Sequence, residues 1–466
     1  MANKWPEFTI NELKAPIKSA IAMGPFGSRI KADNFVKKGI PIIKGGNLHG
    51  ANVKDSGFDF LTEAKAEELK NSQAFRGDLV ITHRGTIGQV SIIPENSKYE
   101  KYIVSQSQLK VTLDTTKVNP YFVNYFFRSQ LGQHRLLSNS SQVGVPAIAK
   151  ASTSIKEILV PCPSLKKQSK IVSVLQSLDD KIELNRQINE TLEKMAQALF
   201  KSWFVDFDPV IDNALESGNE IPNELQEHAQ RRQEQIAKSG HQPLPDDIRQ
   251  LFPSEFKFTD QMGWVPQGWE VCLMGEMVDI ASSKRVFAKD YVENGVPFFR
   301  GKEITELSKG NKINTEIFIS EEKYQELKEK AGAPKKGDIL ITSVGTIGNT
   351  YLVKESDKFY FKDGNLTWIR GYKNSFMPFY LKEWFMTNRA KDAIERIKIG
   401  TTQQAITIKA LNSVTMLNAD SKVIKLFEEH AENIFDKHDA NIDQISSLSH
   451  LRDKLLPKLI SGELTI

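Results

Sequence analysis

The chain has 466 residues, 40% hydrophobic and 26% charged, with a net charge of +4 and only two cysteines, Cys162 and Cys272. That length fits about three domains, and no run approaches the ~20 apolar residues of a membrane helix. Two distant cysteines exclude a disulfide framework and a CxxC metal site, and MANKWPEFTI lacks an apolar leader core, so a reducing, cytoplasmic setting without a membrane partner is expected.

The first segment reads as mixed α/β. Ile40–Lys44 and Leu79–Thr82 are short apolar or β-branched runs beside glycines and predict strands ending in turns. GDLVITHRGTIG, Gly77 to Gly88, carries Gly85 and Gly88 where positive φ or close backbone approach is needed. Tyr121–Arg135 has its apolar positions on one helical face.

A long helix is predicted next. Ile171, Leu175, Leu178, Ile182, Asn185, Asn189, Leu192, Ala196, Leu199 and Trp203 alternate spacings of four and three, the a/d seam of a coiled coil. At 1.5 Å per residue the seam is roughly 50 Å long. An acidic, proline-containing stretch follows, residues 206–262, with one helix expected around Pro222–Ala237.

The sequence then repeats. GDILITSVGTIG, from Gly337 to Gly348, matches the earlier segment at eight of twelve positions. GIPIIKGGN from Gly39 returns as GVPFFRGKE from Gly295, and SQVGVPAIAK near Ser141 as TTQQAITIKA near Thr401, at offsets between 256 and 260. A period this long marks a duplicated domain, since solenoid repeats are far shorter. The seam returns too, from Phe427 through Ala431, Ile434, His438, Asn441, Ile445, Leu448, Arg452 and Leu455 to Leu459, with Asn185 and Asn441 in the same phase. A buried Asn on such a seam fixes register at some cost in stability. The positive charge concentrates in the two repeated segments, which suits a polyanion such as DNA; a solvated face is the plainer reading.

Three catalytic patterns fail on inspection. Asn119-Pro120-Tyr121-Phe122 resembles an amino-methyltransferase motif but lacks its second proline, and Pro120 and Pro378 read as helix starts. Pro245-Asp246 with Glu255-Phe256-Lys257 follows a nuclease pattern, but in a proline-rich stretch with no strand signal. GPFGS, at Gly24, has no following Lys-Ser/Thr and is no P-loop, and the eight histidines show no paired metal spacing.

GPFGS, the duplicated GD-x-x-IT-x-x-GTIG segment, the helix opening QSKIVSVLQSLDDKIELNRQI and the closing LLPKLISGEL, in this order, resemble the specificity subunit of type I restriction-modification enzymes over nearly the whole chain. The resemblance implies an α+β fold: two duplicated mixed α/β target recognition domains separated by two long helices pairing as an antiparallel coiled coil. Its boundaries here are residues 1–163 and 263–420 for the recognition domains, 164–205 and 421–466 for the spacer helices, and 206–262 for the connector. It implies a non-catalytic subunit reading a bipartite site on double-stranded DNA and docking two modification subunits and, through them, two restriction subunits. S-adenosylmethionine, ATP and Mg2+ then belong to those partners, and this chain has no cofactor, metal or catalytic residue of its own. The rival readings are a stand-alone DNA methyltransferase or nuclease, and a scaffold that binds only protein.

The candidate DNA-binding residues sit in the matched loops. Ser28, Arg29 and Lys31 follow GPFGS, with Lys284 and Arg285 in the comparable stretch of the second copy. Lys44 and Arg300 follow the matched strand; Gln106 and Gln108 stand near the place of Asp363 and Asn365; Gln142 and Gln403 lie in the later matched loop. Arg84 fits a guanine edge, whereas its counterpart Val344 does not. Gln and Asn suit adenine, and Arg and Lys also hold phosphates.

Overall fold

A computed structural model describes residues 5–26, 29–141, 144–238, 244–311, 313–373 and 378–464. The chain forms two compact units, Met1–Gln187 with Asn441–Ile466, and Ile188–Ala440. No helix among the described residues is long and apolar enough to cross a membrane.

Each unit is built on the same four-stranded antiparallel sheet. In the first the strand order is Ile21–Met23, Gln108–Val111, Leu79–Thr82, Val90–Ile92. In the second it is Asp279–Ala281, Leu366–Arg370, Ile339–Thr342, Thr350–Leu352. The copied LVIT and ILIT strands are buried at every position, because both sheet faces are covered. Side chains alternate between those faces. Leu79 and Ile81 enter one core with Phe122 and Phe126, while Val80 enters another with Ile43 and Tyr102. Ile339 and Ile341 likewise join Tyr380 and Trp384, and Leu340 joins Phe299 and Phe361.

The motif's aspartate shows how one scaffold tolerates two sequences. Asp78 accepts from Phe75 N at 2.9 Å and Asp338 from Lys335 N at 3.1 Å, closing the turn before each strand. Burial pushes both carboxyls up. Asp78 faces the buried ammonium of Lys110 at 3.7 Å, whereas Asp338 accepts from the indole Nε1 of Trp368 at 2.8 Å. Lys110 and Trp368 hold the same register place, opposite Val80 and Leu340.

A second sheet flanks the first in each unit and contains one parallel pair, Ile42 beside Ile103 inside the first unit's sheet and Phe298 beside Tyr360 at the edge of the second unit's. The helices Pro120–Arg128 and Pro378–Met386 begin at the prolines read as helix starts.

The spacer helices run over Leu165–Phe204 and Ser421–Ser461, roughly 60 Å each at 1.5 Å per residue. They pair antiparallel. Within the first unit Asp179 meets Arg452 at 2.7 Å and Asn185 Nδ2 donates to Gln444 Oε1 at 3.0 Å. Within the second, Asn189 Nδ2 donates to the His438 carbonyl at 3.1 Å, and the Phe200 and Phe427 rings lie 5.6 Å apart. Every seam position from Ile171 to Trp203 and from Phe427 to Leu459 is buried or half-buried. Asn185 and Asn441 are 1% and 3% exposed, on the buried side as expected.

The acidic stretch contains the expected helix at Asn223–Ile236, together with helices at Asp208–Ser217 and Asp246–Arg249. Phe256–Thr259 pairs with Gly263–Pro266 as a hairpin. This corrects the absence of a strand signal: a strand forms because Phe256 packs against the small core of Ile211, Ala214, Ile221 and Ala229.

Candidate nucleic-acid interface

The GTIG turn organises each unit's loops. Gly85 and Gly88 have φ of 85° and 91°, and Gly345 and Gly348 of 79° and 93°. Only glycine enters that region freely, so the turn survives while its neighbours diverge. Gly88 N donates to the Thr82 carbonyl at 3.3 Å and Gly348 N to that of Thr342 at 3.0 Å. Two further loops are tied to the same strand end. His83 N donates to the Ser107 carbonyl and Ser343 N to that of Asn365, both at 2.9 Å; Ile148 N and Ile406 N donate back to the His83 and Ser343 carbonyls at 2.9 Å. Arg84 then bridges Ala147, and Val344 bridges Ala405. Three loops far apart in sequence thus meet at one edge of each unit.

These bonds define the correspondence near Gln106 and Gln108: Ser107, between them, is the counterpart of Asn365. Gln108 stands opposite Thr82, as Leu366 stands opposite Thr342.

In the first unit Arg84 is exposed and makes no side-chain hydrogen bond or ion pair among the described residues. Beneath it His83 is 6% exposed, its Nε2 3.2 Å from the Gln106 carbonyl, and burial pushes the imidazole below its ordinary pKa. A neutral ring there adds no charge to the surface. The Gln106 side chain is exposed. Gln108 is not: it is 1% exposed, its Nε2 donates to Thr82 Oγ1 at 3.2 Å and its Oε1 accepts from Ser105 Oγ. Its amide ties together the ends of the two central strands, which removes it from the readers. Arg29 and Lys31 are exposed on a loop stapled by Lys31 N donating to Asn34 Oδ1 at 2.9 Å. Lys44 pairs with Asp59, both about half exposed, a bond weak enough to be exchanged for phosphate. Ser28 and Gln142 lie outside the described residues.

In the second unit the loops enclose a cleft of about 660 Å³, lined by Arg285, Phe287, Val344, Asp363, Asn365 and Gln403 among others. Three candidates chosen from sequence, Arg285, Asn365 and Gln403, therefore converge. Arg285 Nε donates to Asp363 Oδ2 at 2.9 Å while its side chain stays 70% exposed. It is the counterpart of Arg29: two residues later, Phe287 N donates to Asp290 as Lys31 N does to Asn34. Lys284 is exposed, its backbone N–H held by the Tyr360 hydroxyl at 3.1 Å.

Arg300 is corrected. Its Nη2 and Nε donate to Glu303 at 2.8 and 3.3 Å, and the Glu303 side chain is 4% exposed. A buried carboxylate left without its cation is costly, so this guanidinium is committed to the fold. Lys44 escapes that duty because Asn47, a neutral residue, caps the equivalent turn. Phe287, 56% exposed, and Lys362 also line the cleft and were missed; their place depends on loops that only the fold assembles.

Asp206, Asp208 and His228 gather within 4.8 Å, but His228 already bonds Asp208 at 2.8 Å and Asp206 pairs with Lys201.

The model of the type I restriction modification DNA specificity domain matches residues 23–194 and 266–416. The HindI specificity subunit of a type I restriction enzyme from Haemophilus influenzae is 26% identical, over 82% of this chain and 87% of its own. The MjaIX specificity subunit from Methanocaldococcus jannaschii is also 26% identical, over 87% of this chain and 82% of its own. The crystal structure of the type I restriction-modification S subunit from M. genitalium covers 98% of this chain and 96% of its own with a TM-score of 0.56 at 15% identity, a likeness of fold. With both copies of the repeat matched and the same sheet, turn and paired helices in each, the chain belongs to the type I restriction modification DNA specificity family.

Proposed function

We propose that the chain is the sequence-reading, non-catalytic subunit of a type I restriction-modification complex, and that each unit reads one half of a split site on double-stranded DNA. One observation carries this reading. The two units keep the same turn and hydrogen bonds around GTIG, yet the side chains offered at that edge differ, Arg84 in one and Val344 in the other. A retained scaffold with altered readers is what two different half-sites require. On this reading two modification subunits dock on the chain and bring two restriction subunits, and S-adenosylmethionine, ATP and Mg2+ are bound by those partners. The HindI and MjaIX relatives are specificity subunits of type I restriction enzymes, which supports it.

The test is an exchange of residues 263–420 for the matching segment of a relative, with the methylated motif of the host sequenced before and after. One half of the motif should change. Change in both halves, or in neither, refutes the modular reading. S-adenosylmethionine binding by the chain alone would favour a methyltransferase instead.

A further inference from the structure

We propose that the second unit reads an A·T base pair with Val344 and the amides of Asn365 and Gln403, whereas the first reads guanine with Arg84 at the equivalent place. This rests on the DNA-reading function above and assigns a base class to one position of each half-site.

Arg84 and Val344 occupy the same point of the same scaffold. Each follows the copied strand, precedes the positive-φ glycine, and bridges the third loop, at Ala147 and Ala405. A base edge meeting one loop meets its counterpart in the same orientation. Arg84 offers a guanidinium with no partner among the described residues, and two of its N–H groups match guanine O6 and N7. Val344 offers no donor. Guanine pressed against it leaves two acceptors desolvated and unpaired.

The rest of the cleft fits the other base pair. Val344, Phe287, Ala288 and Ala405 make an apolar wall of the kind that accepts the thymine C5 methyl. Asn365 is half-buried and Gln403 exposed, and neither side-chain amide has a partner among the described residues. An amide pairs its oxygen with adenine N6–H and its nitrogen with N7. The basic groups do not alter this. Arg285, 70% exposed, pairs with Asp363 as Lys44 does with Asp59, a bond that phosphate can exchange, and Lys362 is exposed as well, so both meet phosphate.

The complex with modification subunits is used to select duplexes from a pool with both half-sites randomised. Wild type is expected to hold an A·T pair at one position of the half-site that changes in the segment exchange. Val344→Arg should convert that position to guanine and leave the other half-site untouched. Asn365→Ala should lower adenine discrimination there by roughly 5- to 150-fold, the value of a bidentate contact. Arg84→Val should erase guanine preference in the first half-site. Thermal unfolding confirms that each variant is folded, and Asn365→Ala decides the matter if Val344→Arg does not fold. Folded variants that keep the wild-type motif at every position overturn the assignment, as does a second half-site composed only of G·C pairs. A wild-type complex that selects no motif overturns the DNA-reading function itself.

Discussion

Asp179 ties the first unit's recognition fold to both spacer helices, and its removal gives a sharp test of that architecture. Its carboxylate, 14% exposed, accepts from Tyr125 Oη at 2.8 Å and Arg128 Nη1 at 3.4 Å, and from Arg452 Nη1 at 2.7 Å. Tyr125 and Arg128 belong to the helix Pro120–Arg128, Asp179 to the central helix and Arg452 to the C-terminal helix. Asp179→Ala strands the Arg128 guanidinium, only 21% exposed, takes from Arg452, 18% exposed, one of its two carboxylates while Asp453 remains, and leaves a buried hydroxyl without its acceptor. Removing one partner of a buried ion pair costs about 3–5 kcal/mol. The unit, Met1–Gln187 with Asn441–Ile466, falls in the size class where about 1 kcal/mol moves Tm by about 2–4 °C. A loss of roughly 6–20 °C in its transition is expected by calorimetry. Asp179→Ala and Arg452→Ala should be strongly non-additive in a double-mutant cycle, since they share one interaction. A loss under about 1 kcal/mol, or additive effects, would mean that apolar packing alone holds the unit to its helices.

Glu428, buried and accepting from Tyr380 N at 2.6 Å and Phe379 N at 3.3 Å, is pushed up to about 8 by burial, with Glu432 adding to the rise. The folded state therefore binds the extra proton between the ordinary value of 4.5 and about 8, so stability falls as pH rises through that window and levels above it. Unfolding free energies from urea titrations at pH 5, 7 and 9 should decline in wild type, by at most about 1.4 kcal/mol per pH unit, and flatten in Glu428→Gln; parallel profiles contradict this. Gly88→Ala should cost at least ~1–2 kcal/mol in urea, since φ is 91° and the new Cβ would lie 2.8 Å from Gln133 Oε1, whereas Gly46→Ala meets nothing within 4 Å and serves as the control. Lys31→Ala should leave stability unchanged and reduce the salt slope of DNA binding by about one. Arg300→Ala should do the reverse, lowering the unfolding free energy in urea by about 1–3 kcal/mol through the stranded Glu303 with the salt slope intact.

The duplication, the long helices and the GTIG turns were legible because they rest on local rules. A heptad seam needs only an alternation of spacings, and it held from Ile171 to Trp203 and from Phe427 to Leu459 even through Asn185, Asn441 and Arg452. The four glycines of the two turns took positive φ because a side chain there is strained in any context. What a polar side chain does was not legible, because that depends on partners distant in the chain. Gln108 and Gln106 are two residues apart, yet one opens a buried strand and the other sits in the turn before it, so one amide is buried and the other exposed. Lys44 and Arg300 share a position, but the residue three places on is neutral in one copy and a buried carboxylate in the other, so only Arg300 is bound to the fold. Arg285, Val344, Asn365 and Gln403 come from loops spread over more than a hundred residues. Periodicity and backbone strain are properties of neighbours in sequence, whereas burial, ion pairing and the gathering of a reading surface belong to neighbours in space, and only the packed sheets and their strand registers decided those.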